Sequence, residues 1–138
     1  MEISNIHWVA VLVSALVGIA CGAIWFGPKT FYPAWSKAMG RAESDLPGNG
    51  MNMGIIFGST FVAQFVQAIA MAIIISGLDQ PNFAKGALVG LVVGVGIAAA
   101  APLGHRLFGG QGFHVWALEV ANDVLILTLM GAILGGWN

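Results

Sequence analysis

The stretch VWALEVANDVLILTLMGAILGGW, at residues 115–137, is apolar over the length of a membrane-spanning helix, yet it carries Glu119, Asn122 and Asp123. About 20 predominantly apolar residues are needed to cross the hydrocarbon core of a bilayer. A helix that enters the bilayer near Phe113 would place Glu119 roughly 9 Å deep and Asp123 roughly 15 Å deep, close to the midplane. The stretch therefore predicts a transmembrane helix with two carboxyls inside the membrane.

The two carboxyls share one face of this predicted helix. Glu119 and Asp123 lie four positions apart, with Trp116 and Asn122 at the edges of the same face. An acidic side chain at mid-helix costs about 2.5 to 3.5 kcal/mol to insert. One interpretation is a proton or cation relay in which one or both carboxyls stay protonated, because burial and a like-charged neighbour disfavour the charged form. The other interpretation is an interhelical hydrogen-bond clamp that only holds the helices together.

The composition of the whole chain is that of a membrane protein. Of its 138 residues, 58% are hydrophobic and only 8% are charged, and the mean hydropathy is +0.87. This is too apolar for a soluble domain, and the length leaves room for four spans and little else. The net charge of -1 gives no basic surface for nucleic-acid binding, so that class is excluded. A single cysteine, Cys21, excludes a disulfide framework and a cysteine-rich metal site.

Glycines and prolines divide the chain into helices. Gly27-Pro28 ends the first apolar run, and Pro102 with Gly104 ends the third and begins a loop. The sequence predicts an all-α polytopic membrane protein, with four transmembrane helices in an antiparallel bundle and a short interfacial helix after the first. The predicted single domain is 1–138, with spans at about 6–26, 51–78, 83–103 and 113–137, a loop at 43–50, and the interfacial helix at about 30–40.

Small residues recur at every fourth position on the predicted spans, a pattern that lets helices approach closely in lipid. The pattern does not tell whether such contacts form within one subunit or between copies. We expect tight helix association and a homo-oligomer or a larger membrane complex. The candidate helix-packing residues are Ser14, Gly18 and Gly22, then Gly86, Gly90 and Gly94, and finally Gly131 and Gly135.

Polar residues elsewhere are candidates to face the two carboxyls. Thr60, Gln64 and Gln67 share one face of the second span, and lipid supplies no hydrogen-bond partners, so we expect them to face inward. If this span starts on the same side as the fourth, Thr60 and Gln64 lie at about the depth of Asp123. Possible loop partners for Glu119 are His105, Arg106 and His114.

The chain shows no residue spacing typical of a metal site, a cofactor site or a nucleophile set. We therefore expect no enzymatic activity, no metal and no cofactor. An intramembrane aspartyl hydrolase is the enzyme alternative. It would need two acids brought together across helices, whereas Glu119 and Asp123 lie one turn apart on one helix.

The basic residues predict the topology. Four of the five lie in the first and third loops, and by the positive-inside rule these loops are cytoplasmic and both termini lie outside. We expect a multi-pass protein of a bacterial cytoplasmic membrane. The four basic loop residues are Lys29, Lys37, Arg41 and Arg106.

Two blocks of the sequence resemble a known family. They are GAIWFGP at residues 22–28, followed by Phe31, Trp35 and Met39-Gly40, and MGAILGGW at residues 130–137. Together they resemble the family called domain of unknown function 1761, over nearly the whole chain. The resemblance implies a four-helix integral membrane protein without an assigned activity. In the family pattern an amide is more usual at the position of Glu119 and an aromatic residue at that of Asn122, which makes the acidic pair a departure.

Two functions remain open from the sequence. The preferred interpretation is a non-enzymatic interaction or accessory subunit that oligomerises through the small residues. The alternative is a small oligomeric proton- or cation-linked channel or transporter that uses Glu119 and Asp123. The membrane lipid is the expected environment in both cases.

Overall fold

The structure, a computed structural model, describes residues 6–41 and 50–137, and within these ranges the chain is mainly helical and contains no strand. The predicted loop at 43–50 lies outside these ranges except for Gly50. The helices are α1 (Trp8–Trp25), α2 (Tyr32–Ala38), α3 (Met53–Ser76), α4 (Phe83–Val93), α5 (Leu103–Phe108) and α6 (Gly112–Gly136), and a π-helical segment, Gly94–Ala99, continues α4.

Four helical stretches are long and apolar enough to cross a membrane. They are α1 with 18 residues, α3 with 24, α6 with 25, and the 26-residue stretch Phe83–Phe108, which runs from α4 through the π-helical segment to α5. The predicted all-α class with four such helices is confirmed. The remaining helix, α2, has only 7 residues and starts with a proline near its first position, and its place at the membrane surface stays a prediction.

The helix around which the others pack is α6, which contacts every other helix of the described ranges. It is also the most buried of the long helices. Its Ile126 and Met130 are almost fully buried, together with Val11 of α1 and Met71 of α3. In lipid such contacts stabilise the fold by close packing, because lipid tails are as apolar as the side chains. The stretch that carries the carboxyls thus forms the core.

Glycines allow α4 and α6 to meet backbone to backbone. A Cβ atom on Gly86 would overlap the carbonyl group of Gly131, so the contact requires glycine there. Farther along, Gly94 packs against Val124, and residue numbers rise on α4 as they fall on α6. The small residues of the third span therefore make their close contact within the chain.

The third long stretch changes from α-helical to π-helical geometry shortly before Pro102, near the predicted end of the helix. The segment before Pro102 forms a π-helix. This form is rare in proteins, and where it occurs it is frequently at a functional site. The helix ends at Ala99, close to the predicted end at Pro102 and Gly104, but the prediction that a loop begins there is wrong. Because proline is tolerated at a helix start, α5 begins directly after Pro102, and Arg106 lies on this helix instead of in a loop.

Candidate intramembrane polar site

Glu119 lies in the first third of α6 and is held by two side chains from other helices. Nη2 of Arg106, on α5, lies 2.5 Å from Oε2 of Glu119 and forms an ion pair with it. Trp35, on α2, donates its indole N–H to the same oxygen at 3.3 Å. The side chains of the pair are 29% and 22% exposed, which places them at the edge of the bundle. His105 and His114 are exposed and make no hydrogen bond to Glu119 in the described part of the chain.

Two further tryptophans form hydrogen bonds between this end of α6 and the neighbouring helices. Trp25, the last residue of α1, donates its indole N–H to the carbonyl of Leu118 at 2.9 Å. Trp116 donates to the carbonyl of Ala99, the last residue of the π-helical segment, at 2.7 Å. In a regular α-helix the carbonyl of Ala99 would accept from the main-chain N–H of Leu103, but that N–H donates to the carbonyl of Ala100. The indole of Trp116 therefore takes the place of this main-chain donor. Partly buried indole N–H groups need an acceptor, and these bonds fix the face that bears the carboxyls.

Asp123 lies one turn deeper on α6 and borders two clefts. The first cleft, of about 280 Å³, is lined by both carboxyls and by Arg106 and Phe26, among others. The second cleft, of about 260 Å³, lies between α3, α6 and the π-helical segment, and its polar lining residues are Gln67 and Asp123. No hydrogen bond to the Asp123 carboxyl occurs among the residues that the structure describes. Asp123 is the residue that the two clefts share.

Gln64 and Asn122 pack against α1, on another side of the site. The side-chain oxygen of Gln64 occupies the space that a Cβ atom on Gly18 would need. The amide nitrogen of Asn122 lies 3.9 Å from the position of a Cβ atom on Gly22. Asn122 is 5% exposed. The small residues of α1 therefore make room for two amide side chains, and neither amide bonds to Asp123.

Thr60 does not belong to this site, and the prediction that it faces inward is wrong. It is exposed, and its hydroxyl donates to the carbonyl of Ile56 in its own helix at 2.8 Å. The physical reason is the position of α3, whose buried residues all lie in its second half, whereas almost every residue before Gln64 is exposed. Of the other two predicted residues, Gln67 lines a cleft with Asp123, and the half-buried Gln64 places its side-chain oxygen against Gly18 of α1.

The aromatic residues that surround Glu119 are not among those that the sequence predicts for the site. Trp35 was assigned only to a surface helix, yet it reaches the carboxylate, and its ring meets Phe26 edge to face at a centroid distance of 5.7 Å. Trp25 packs on Phe31 at 4.4 Å. The available signal was chemical, because an indole N–H near an apolar core needs an acceptor and the carboxyls were the evident acceptors.

The charged groups of the site are two carboxyls and one guanidinium group. Within the described ranges no three His, Cys, Asp or Glu side chains are placed to hold a metal. The groups present are an ion pair beside the first cleft and, one turn deeper, a carboxyl without a basic partner. Intramembrane carboxyls of this kind mark ion pathways and proton relays in membrane proteins.

Comparison with known proteins gives a family and nothing beyond it. No curated protein and no solved structure matches the chain. The family described as protein of unknown function (DUF1761) matches residues 9–135, which include nearly all of the four long helices and the polar site. The resemblance seen in the two sequence blocks is confirmed. Because the match covers nearly the whole chain, this protein belongs to the DUF1761 family, whose function is unknown.

Proposed function

We propose that this protein is a proton-linked conduit in which Asp123 passes protons between two hydrated clefts. The observation that carries the proposal is that Asp123 lines both clefts, while no hydrogen bond holds its carboxyl in the described part of the chain. A structural clamp would join this carboxyl to a polar group on α3. Neither Gln64 nor Thr60 makes such a bond.

The depth of Asp123 favours a carboxyl that gains and loses a proton over one that stays charged. A charged acidic side chain near the bilayer centre costs about 2.5 to 3.5 kcal/mol, and binding a proton removes this cost. Proton exchange requires water within hydrogen-bond reach of the carboxyl. Each cleft has room for several water molecules, which supports access of water to the Asp123 carboxyl from both clefts.

Glu119 has a different role in this proposal. Arg106 and Trp35 both bind one of its oxygens, so the side chain is fixed and its charge is compensated. Phe26, which contacts the Trp35 ring, also lines the first cleft. We propose that these residues shape the mouth of the first cleft, and that Asp123 is the group that carries the proton.

The proposal includes the predicted topology. The long helices are antiparallel spans of a bacterial cytoplasmic membrane, α2 lies at its surface, and both termini are outside. Basic residues on and beside α2, together with Arg106 on α5, support a cytoplasmic position for this end. The first cleft then serves the cytoplasmic side. The second cleft extends along α3 to Ile74 and serves the opposite side.

A second candidate function, an interaction or accessory subunit, is supported by a separate observation. Gly54 and Gly58 lie four residues apart on the exposed half of α3, and no atom of the described residues lies within 4 Å of a Cβ atom placed on Gly58. Such a pair favours close approach of another helix in lipid. A homo-oligomer formed through this face is compatible with a conduit in each subunit.

Proton flux into liposomes tests the proposal. Purified protein is reconstituted with an internal pH-sensitive dye, and a potassium gradient with valinomycin imposes a membrane potential. We expect flux in the wild type and at least a tenfold loss in Asp123→Asn. The matched control, Asp79→Asn, makes the same chemical change at an exposed position between α3 and α4 and keeps the flux.

Two results would contradict the conduit. One is a wild type that carries no more protons than empty liposomes under any gradient, and the other is full flux in Asp123→Asn. The interaction subunit predicts the first result, together with a smaller oligomer when Gly58 is replaced by leucine.

A further inference from the structure

Three buried oxygen atoms outside the clefts have no hydrogen-bond partner in the part of the chain that the structure describes. They are Oγ of Ser14 on α1, Oε1 of Gln64 on α3 and Oδ1 of Asn122 on α6. Ser14 is 0% exposed and Asn122 is 5% exposed. A buried acceptor without a partner destabilises the folded state, and lipid offers no replacement. Three such atoms in one small bundle require an explanation.

The three groups lie along one face of α1. Ser14, Gly18 and Gly22 follow one another at four-residue spacing, with the Gln64 oxygen over Gly18 and the Asn122 amide near Gly22. We call the side chains of Ser14, Gln64 and Asn122 the polar seam. Successive positions on this face are about 6 Å apart along the helix axis. An oxygen–water–oxygen bridge spans about 5.6 Å, because each O–H···O bond measures about 2.8 Å. The spacing of the α1 positions that the polar seam contacts is therefore close to the span of one bridging water.

We propose that the polar seam binds a file of ordered water molecules that joins α1, α3 and α6. A water molecule can donate to each orphaned oxygen and can accept from the amide N–H groups of Gln64 and Asn122. A metal cation fits less well, because the three side chains are neutral and would leave its charge uncompensated in a low-dielectric interior. The site is separate from the conduit. The proposed water file does not depend on whether Asp123 carries protons.

Water-edited solid-state NMR of the protein in lipid bilayers tests this site directly. Magnetisation is transferred from water protons to side-chain groups, and bound water gives transfer to the amides of Gln64 and Asn122. Asn52, the exposed N-cap residue of α3, is the positive control, and the lipid-facing Leu88 is the negative control. We expect transfer to both seam amides at the mixing time that suffices for Asn52. Absence of transfer to either seam amide, with Asn52 detected, overturns the proposal.

A stability measurement gives an independent readout. Ser14→Ala removes one partner of the bound water, so we expect a lower unfolding midpoint. If the seam is dry, the same change removes an orphaned oxygen and raises the midpoint, which overturns the proposal. Ser76→Ala is the matched control, because the Ser76 hydroxyl donates to Ile73 in its own helix at 2.6 Å, so the effect of its loss does not depend on water in the seam.

The occupant is identified by changing the cation. Both experiments are repeated with choline as the only monovalent cation in place of sodium and potassium. We expect the NMR transfer and the unfolding midpoint to stay the same, since water needs no metal. Loss of the transfer without sodium or potassium would assign the site to a cation and overturn the water file.

Discussion

Replacing Gly90 by alanine probes the contact between α4 and α6 on which the core depends. The new Cβ atom would overlap the carbonyl of Leu127 and lie 2.7 Å from Cα of Thr128. These are backbone atoms of a helix, so no side chain can rotate away and the helices must separate. Overpacking costs about 1 to 3 kcal/mol, and a backbone clash belongs at the upper end. Alanine regains about 1 kcal/mol of helix propensity. The net loss is therefore about 2 kcal/mol, roughly a thirtyfold shift in the folding equilibrium.

The assay is equilibrium unfolding in mixed micelles with increasing sodium dodecyl sulfate, followed by tryptophan fluorescence. Gly96→Ala is the matched control in the same stretch, because within residues 6–41 and 50–137 no atom lies within 4 Å of the added Cβ atom. We expect this control to be as stable as the wild type or more stable. Equal stability of Gly90→Ala and Gly96→Ala would refute the packing. So would a Gly90→Ala protein that changes its oligomeric size and keeps its unfolding free energy, because the glycines would then join separate copies.

Three further predictions follow from the polar site. Arg106→Gln leaves the carboxylate of Glu119 without its cation. Because the pair is partly exposed, we expect the free energy of unfolding to fall by about 1 to 2 kcal/mol, and a double-mutant cycle between Arg106 and Glu119 to give a nonzero coupling energy. Trp116→Phe removes the donor to the carbonyl of Ala99 and should cost about 1 to 3 kcal/mol; an unchanged melting temperature would show that this bond contributes nothing. Asp123→Leu should leave stability unchanged or raise it, since the carboxyl has no hydrogen-bond partner in the described ranges, whereas a clamp predicts a loss of about 1 to 2 kcal/mol in thermal unfolding.

Hydropathy and the positions of glycine and proline were enough to predict the fold class. Each long apolar run contains enough residues to cross the bilayer, so helix number follows from the sequence. Which helices pack against each other could not be predicted from the sequence. The glycines of α4 indicate that some backbone comes close, but α6 as the partner depends on the whole arrangement of the chain. The π-helical segment was also not predictable, because it accompanies Pro102 and a bond from Trp116 to the main chain.

The site was predictable only where one helix carries it. The shared face of Glu119 and Asp123 follows from the 100° turn per residue of a helix. The partners on other helices depend on tilt and position, which the sequence does not specify. Thr60 was expected to face inward because lipid supplies no hydrogen-bond partner, but the carbonyl of Ile56 in its own helix supplies one, on the exposed first half of α3. Trp35 was missed because it lies on a short helix far away in sequence.

The central claim is that water reaches Asp123 from both clefts, and infrared difference spectroscopy of oriented proteoliposomes measures this most directly. The carbonyl stretch of a protonated carboxyl is followed after a pH jump on one side of the membrane and then on the other, and Asp123→Asn identifies the band. A conduit predicts that the Asp123 band responds to pH on each side. A band that stays constant, or that responds from one side only, would contradict the conduit.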